Sequence, residues 1–510
     1  MDFKWSSIYE RLPSVVKPEE KLSFKEKIKW TGLILILFYL LGSVFVYGVN
    51  PDAVAQFEFL EIVFGSKFGS LITVGIGPIV TASIILQLLV GSEILNWDTK
   101  TPEGKAKFTG MQKILAISFC ILESAAYVLA GAVPAASPNL IPIVILQLIL
   151  GGLLIIAMDE VVSKWGIGSG ISLFIAAGVS KTILLRVFNP LTQRGAFLFG
   201  LPGEAPSGIL TGLPFLLGQG LIVESFLSLL PLLATLLVFG VVVFAQDMRI
   251  EIPMAFSLPF GKFAARRWPL KFIYTSNIPV ILTAAIVANL RVIGKMLADN
   301  GLAILGTFDA SGNPLDGLVY YATAPSSSGI MISALIAGAF AVAFALIANS
   351  VMKKYSLRTS LVGGIIGFII GIILSNVLTI IPAVAMIDIV RSLTYLMTMI
   401  VGAVIFSKFW VVTSGMDSKS VAEQFKSSFI SIPGFRRDPR IIERVLDKYI
   451  PSLTVLGGAF VGLLAGFADL TNAVGSGTGI LLTVMILYQL YEQIAQQHWD
   501  DMPEWLKKLS

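Results

Sequence analysis

The sequence predicts an all-α, polytopic membrane protein, and three observations predict it. Charged residues make up 14% of the 510-residue chain and hydrophobic ones 55%, with a mean hydropathy of +0.83. Soluble domains carry roughly 25% charge, so most of this chain has lipid for its solvent. Apolar runs of about twenty residues, the length that crosses roughly 30 Å of hydrocarbon, recur along the whole sequence. Finally, basic residues segregate: with an even number of spans and the N-terminus inside, 30 of the 37 Lys and Arg fall in inner segments. That asymmetry predicts that both ends are cytosolic.

The elements follow in order. Residues 1–30 mix Trp5, Tyr9, Pro13 and Pro18 with basic side chains and contain no apolar core, which predicts a cytosolic arm at the membrane surface and no cleavable signal peptide. Twelve spans are then expected, near 31–49, 71–91, 114–133, 139–158, 168–187, 226–245, 272–293, 329–350, 361–381, 388–410, 452–468 and 476–492. Between the first two lies a stretch too short to cross. Asn50 is placed to cap it, Pro51 suits the first helical position, and Gly65 stops it. Ala53, Phe57, Leu60 and Phe64 form its apolar stripe, with Glu58 and Glu61 toward water, so a short amphipathic helix is expected.

Two spans open in an unusual way. The second begins Gly75-Ile76-Gly77-Pro78 and the fifth Gly166-Ile167-Gly168-Ser169-Gly170-Ile171. Ile76 and Val80, like Ile171 and Ile175, stand four apart and so share a helical face. Bare branched aliphatics sit where a transporter would carry ligands, which reads as the lining of a pore. Two basic loops, 246–271 and 411–449, suit anionic partners: lipid headgroups or RNA phosphates. Within them Arg266 and Arg267, and Arg436 and Arg437 after the turn-forming Pro433-Gly434, are the docking candidates. In the pair of runs at 329–350 and 361–381, Gly363, Gly364, Gly367 and Gly371 predict close helix packing.

Several chemistries lack their residues. Cys120 and His498 are each the sole member of their type, so no internal disulfide and no zinc, haem or Cys/His site is expected. No phosphate-cradling Gly-rich loop with Lys-Ser/Thr appears, so driving energy must come from a partner. An intramembrane enzyme would need paired carboxylates or a Ser near a His. A secondary active transporter stays open, with Glu123 the clearest mid-membrane ionisable group and Asp159, Asp388, Arg391 and Asp469 near span ends.

Beyond the pore-like spans, the runs Tyr274-Thr275-Ser276-Asn277-Ile278-Pro279-Val280-Ile281 and Gly475-Ser476-Gly477-Thr478-Gly479-Ile480-Leu481-Leu482-Thr483 carry a family likeness. Asp159–Gly166, Arg249–Pro253, Trp410–Asp417 and Tyr491-Glu492-Gln493 extend it in order over nearly the whole chain. The sequence resembles the SecY/Sec translocon alpha subunit family, most closely its archaeal branch. The resemblance implies the central subunit of a protein-conducting channel in the cell membrane, passing unfolded polypeptides across and releasing membrane segments sideways. It implies two pseudo-symmetric five-helix halves around an hourglass pore, here about 31–190 and 191–492, with a cytosolic tail at 493–510. It implies no cofactor. The partners it implies are SecE/gamma-type and beta-type small membrane subunits, the ribosome, signal peptides and nascent chains, and lipid.

Residue by residue, the resemblance puts the pore ring on Ile76, Val80, Ile171, Ile175, Ile281 and Leu464. It puts a plug at about 51–70, including Pro51, Phe57, Leu60 and Phe64, whose removal is expected to raise resting ion leak and spare transport. The lateral gate falls on the second, third, seventh and tenth of the spans above, with Thr81, Gln87, Glu123 and Asn277 as its polar groups. Ten spans are the family pattern, so the hairpin at about 329–381 is an insertion.

Overall fold

The computed structural model describes residues 13–20, 22–49, 69–91, 94–95, 97, 101–129, 133–192, 205–257, 263–275, 278–299, 301–309, 312–325, 328–351, 357–377, 386–427, 430–431, 439–475 and 477–497. Each of the twelve apolar runs falls on a helix: α1 (Phe24–Leu41), α2 (Gly77–Gly91), α3 (Pro102–Leu129), α4 (Ile141–Trp165) and α5 (Gly170–Phe188) come first. A short apolar helix α6 (Ile209–Gly218) precedes α7 (Ile222–Asp247), and α8 (Ile278–Asp299) is followed by the one-turn α9 (Gly317–Ala322). The inserted pair is α10 (Ser328–Val351) and α11 (Leu357–Val377); α12 (Met386–Thr413), the amphipathic α13 (Ser418–Ser427) and α14 (Pro439–Leu446), then α15 (Ile450–Leu470) and α16 (Gly477–Gln497) complete the order.

Seven of the described helices are long and apolar enough to cross a membrane alone. Two of the others have local causes. α1 carries Lys25, Glu26, Lys27 and Lys29 in its first turns, where a Ser23–Glu26 capping box starts the helix. α2 is only 15 residues long, about 22 Å at 1.5 Å per residue. The expected span at 71–91 is therefore helical only from Gly77: Leu71–Ile76 run as turns, with Gly75 at φ +56°, a conformation that side-chain-bearing residues rarely adopt. Ile76 still accepts a hydrogen bond from the amide of Val80 at 3.0 Å, so the pair keeps its shared face across the helix start.

The first basic loop folds as a hairpin that an all-α reading does not contain. β1 (Arg249–Ser257) pairs antiparallel with β2 (Phe263–Lys271), and β3 (Ile430–Ser431), from the second basic loop, adds to the other edge of β1. Ile252, Leu270, Val421, Phe425, Ile442 and Leu446 bury a small core of their own beneath this sheet, with Trp268 edge-on to Phe425 at 4.8 Å. The two loops are thus one folded platform, tied to the bundle by Lys271 paired with Glu492 and by Tyr274 donating to the Met416 carbonyl at 2.8 Å.

The arm is strapped down. Lys113, Lys164 and the Trp165 indole donate to the carbonyls of Pro13, Val15 and Val16, while Glu160 pairs with both lysines at 2.8 and 2.6 Å. The inserted hairpin packs as its glycines predict. Gly363, Gly367 and Gly371 lie against Phe344, Phe340 and Ala337 of α10, so closely that a Cβ on Gly371 would stand 2.6 Å from the Ala337 Cα. Gly338 on the same hairpin receives the Phe467 ring of α15.

Candidate functional site

Six aliphatic side chains from five segments define the candidate site. Ile76 closes the turn before α2 and Val80 lies in its first helical turn; Ile171 and Ile175 open α5; Ile281 opens α8; Leu464 lies in α15. Ile76, Val80, Ile175, Ile281 and Leu464 are 0%, 4%, 1%, 6% and 6% exposed, and all belong to one continuous cluster of buried apolar side chains. Ile171 is partly buried and packs against the same cluster. These six side chains offer no hydrogen bond and no charge, so any polypeptide among them would be held by shape alone. A closed, dry aliphatic neck also excludes ions, which would lose hydration without replacement.

Local chemistry sets where these side chains stand. Pro78 and Pro279 each occur two residues before a ring candidate, Val80 and Ile281, in helix starts where the missing proline amide would be unpaired anyway. The Ile171 amide donates to Asp159 Oδ1 of α4 at 2.9 Å, which anchors the start of α5. At the matching place in the other part of the chain, Asp469 Oδ1 accepts from the Thr478 amide at 3.2 Å, and its Oδ2 takes the Tyr395 hydroxyl at 2.7 Å.

The expected seam is only partly as the polar residues suggested. Thr81 donates to Glu123 Oε1 at 3.0 Å, and Gln112 to Ser83 at 2.7 Å, but both bonds join α2 to α3. Neither bond crosses to α8 or α12. Gln87 is buried, and its Oε1 and the Glu123 Oε2 have no hydrogen-bond partner. Contact across the seam is instead steric: Gly91 of α2 faces the Phe409 ring of α12, while Gly402 of α12 against Thr283 of α8 packs together the two helices of the other side. Polarity drew attention to the first set; a lone glycine closing an apolar run was the weaker signal for the second.

Other candidates fall elsewhere. Pro51, Phe57, Leu60, Phe64, Asn277, Arg436 and Arg437 lie outside the described residues. The backbone places Arg267 opposite Pro253 and Arg266 opposite Met254 in the hairpin ladder. Among the described residues, no group of His, Cys, Asp and Glu is arranged to hold a metal ion.

Comparison with known proteins places these features in a wider set. The family model for SecY matches residues 70–491. The protein translocase subunit SecY of Methanothermobacter thermautotrophicus is 42% identical over 506 aligned residues, covering 98% of this chain and 96% of its own. That of Methanocaldococcus jannaschii is 38% identical, covering 98% of each. A solved structure described as "The structure of a protein conducting channel" superposes with a TM-score of 0.76 at 37% identity over 98% of both chains. Sec61 in a canine ribosome–channel complex does so with a TM-score of 0.73, also at 37% identity and 98% of both chains.

Proposed function

This chain belongs to the SecY family, and from that premise we propose that Ile76, Val80, Ile171, Ile175, Ile281 and Leu464 line the neck through which the channel passes unfolded polypeptide. The chain is the pore subunit of a protein translocation channel and a multi-pass membrane protein. The observation that carries the neck assignment is burial without polarity. Five of the six side chains are nearly inaccessible, come from α2, α5, α8 and α15 together with the turn before α2, and share one cluster. Around a passing chain of varying girth, branched aliphatics adapt without binding any one side chain; behind it they close.

The same reading makes residues 51–70 the plug on one side of the neck. Support comes from a similar solved protein, 37% identical, described as having a plug domain that stabilises the closed state and maintains a membrane seal. The way out to lipid is the seam where α2 meets α12 and α8, with Gly91 and Phe409 at its contact and Thr81, Gln87, Glu123 and Asn277 as its polar groups. The platform of β1, β2, β3, α13 and α14 faces the cytosol with both termini. There Arg266, Arg267, Arg436 and Arg437 meet ribosomal RNA phosphates, a role supported by the ribosome-bound state of the similar canine channel. SecE/gamma-type and beta-type subunits complete the channel in the plasma membrane.

Site-specific photocrosslinking from Ile76, Ile171, Ile281 and Leu464 to a ribosome-stalled secretory chain tests this, with the exposed Ile36 of α1 as control. Crosslinks from all four and none from Ile36 are expected. A correctly assembled channel giving none at the four positions would overturn the neck assignment.

A further inference from the structure

The starts of α5 and α16 are one motif used twice. Gly168-Ser169-Gly170-Ile171 and Gly475-Ser476-Gly477-Thr478 align without a gap, and each helix begins at the third residue of its motif. Gly168 and Gly475 both hold positive φ, +76° and +85°. The fourth residue of each motif donates its amide to a carboxylate on the preceding helix: Ile171 to Asp159 and Thr478 to Asp469.

The correspondence continues into packing, and it is reciprocal. A Cβ on Gly168 would lie 2.5 Å from Leu490 of α16, and one on Gly475 would lie 3.2 Å from Ile183 of α5. Ile183 and Leu490 occupy the same position when counted from Gly170 and Gly477. Each turn is therefore seated on the far end of the other helix, as an antiparallel pair with a two-fold axis between its members requires. Buried positions repeat as well, with Phe174 matching Leu481 and Val179 matching Ile486, none more than 1% exposed.

Neither carboxylate belongs to the turn it caps. Each reaches over from the helix before, so the bond fixes the height of one helix against another as well as pairing a helix-start amide that has no partner within its own helix. Asp159 clips α5 to α4 by the amide of Ile171 itself, a neck residue. Asp469 lies five residues beyond Leu464 on α15 and clips that helix to α16, while the Tyr395 hydroxyl adds α12.

We propose that Asp159 and Asp469 are matched positioning residues, which set the heights of Ile171 and Leu464 in the neck so that the resting channel seals. This rests on the neck assignment above. The test uses the full channel complex reconstituted in planar bilayers, with resting ion conductance as readout and Asp→Ala, Asp→Asn and Asp→Glu variants at each position. Asparagine keeps an oxygen that accepts the amide, though without charge, so D159N and D469N should leak several-fold less than the alanine variants. D159A and D469A lose it and should leak at least about tenfold more than the parent, the scale of one buried hydrogen bond to a charged group. Should the alanine variants fail to accumulate, D159E and D469E decide: charge and acceptor stay, the reach grows by one methylene, and leak should still rise.

Sealed alanine and glutamate variants, or asparagine variants that leak as much as alanine, would overturn the proposal. Crosslinking from Ile171 to a stalled chain, run on the parent in parallel, separates the two ideas. Crosslinks with sealed variants defeat the clips alone; no crosslinks defeat the neck assignment and the clips with it.

Discussion

At Gly91 the seam between α2 and α12 has no room for added volume. This glycine ends α2, and a Cβ there would stand 2.6 Å from Cδ1 and 3.3 Å from Cγ of the Phe409 ring. Carbon atoms prefer about 3.5–4.0 Å, so alanine already intrudes and valine forces the helices apart. Overpacking of this kind costs about 1–3 kcal/mol. A seam that opens sideways relieves that strain and a closed one does not, so the closed arrangement alone bears it. The equilibrium then moves toward opening by about 5- to 150-fold, with alanine at the low end and valine toward the high end. The assay is translocation of a secretory protein whose signal has lost apolar residues, in vesicles carrying the reconstituted channel. G91V should pass this substrate where the parent rejects it, and F409A in the same chain should restore rejection. Unaltered selectivity in G91V, or selectivity that F409A leaves unrestored, would refute the steric account of the seam.

Two further outcomes follow from contacts elsewhere. E123Q keeps an oxygen for the Thr81 hydroxyl at the α2–α3 contact; translocation should stay within about threefold of the parent, because single polar contacts in membranes are worth about 0.6 kcal/mol on average. A carrier that moved protons through Glu123 would stop altogether, so loss of transport in that variant would reopen the carrier reading. On the inserted hairpin, a Cβ at Gly367 would run into the Phe340 carbonyl and lie 2.7 Å from Phe344 Cβ. G367L should splay α10 from α11 at a cost of about 1–3 kcal/mol, seen as a lower melting temperature of the detergent-solubilised channel; an unchanged melt would mean that the pair is not held by this contact.

The apolar runs were legible because lipid is a uniform solvent and twenty apolar residues in a row have few other uses. Where helices begin was less so. Leu71–Ile76 read as part of a span, yet they turn, since Gly75 takes a positive φ that hydropathy does not register. The hairpin in the first basic loop was hidden by its charge. Arg249-Ile250-Glu251-Ile252 does alternate polar and apolar with the period of a strand, and Ile252 is the buried member. The proposed neck residues emerged from glycine-opened spans together with a family likeness; spacing alone put Ile76 with Val80 and Ile171 with Ile175 but gave no reason to join α8 and α15 to them. At the seam, polarity pointed to Thr81 and Glu123, which bond within one side, while Gly91 and Phe409 meet across it. A steric contact between helices distant in sequence leaves almost no local trace.

What separates this channel from a carrier is how its ionisable residues near mid-membrane and at span ends are employed. A carrier keeps such groups available to substrate or proton. Here Asp159 and Asp469 accept main-chain amides at helix starts, and Asp469 also takes the Tyr395 hydroxyl. Arg391 donates to the carbonyls of Tyr320, Thr323 and Ala324 and lies 4.1 Å from the Tyr320 ring centroid, which ties α12 to the end of α9. Glu123 accepts from Thr81. Asp159, Asp469 and Arg391 hold helix ends in place around the aliphatic side chains of the proposed neck, while Glu123 keeps its buried Oε2 without a partner. That division suits a substrate which is itself a polypeptide: a passage that must pass every side chain can afford polar groups in its frame but not in its neck. The cost is that the frame must be exact in height, since side chains offering no directional bond seal only by shape, and a shift of one helix by a fraction of a turn opens the gap that an ion needs.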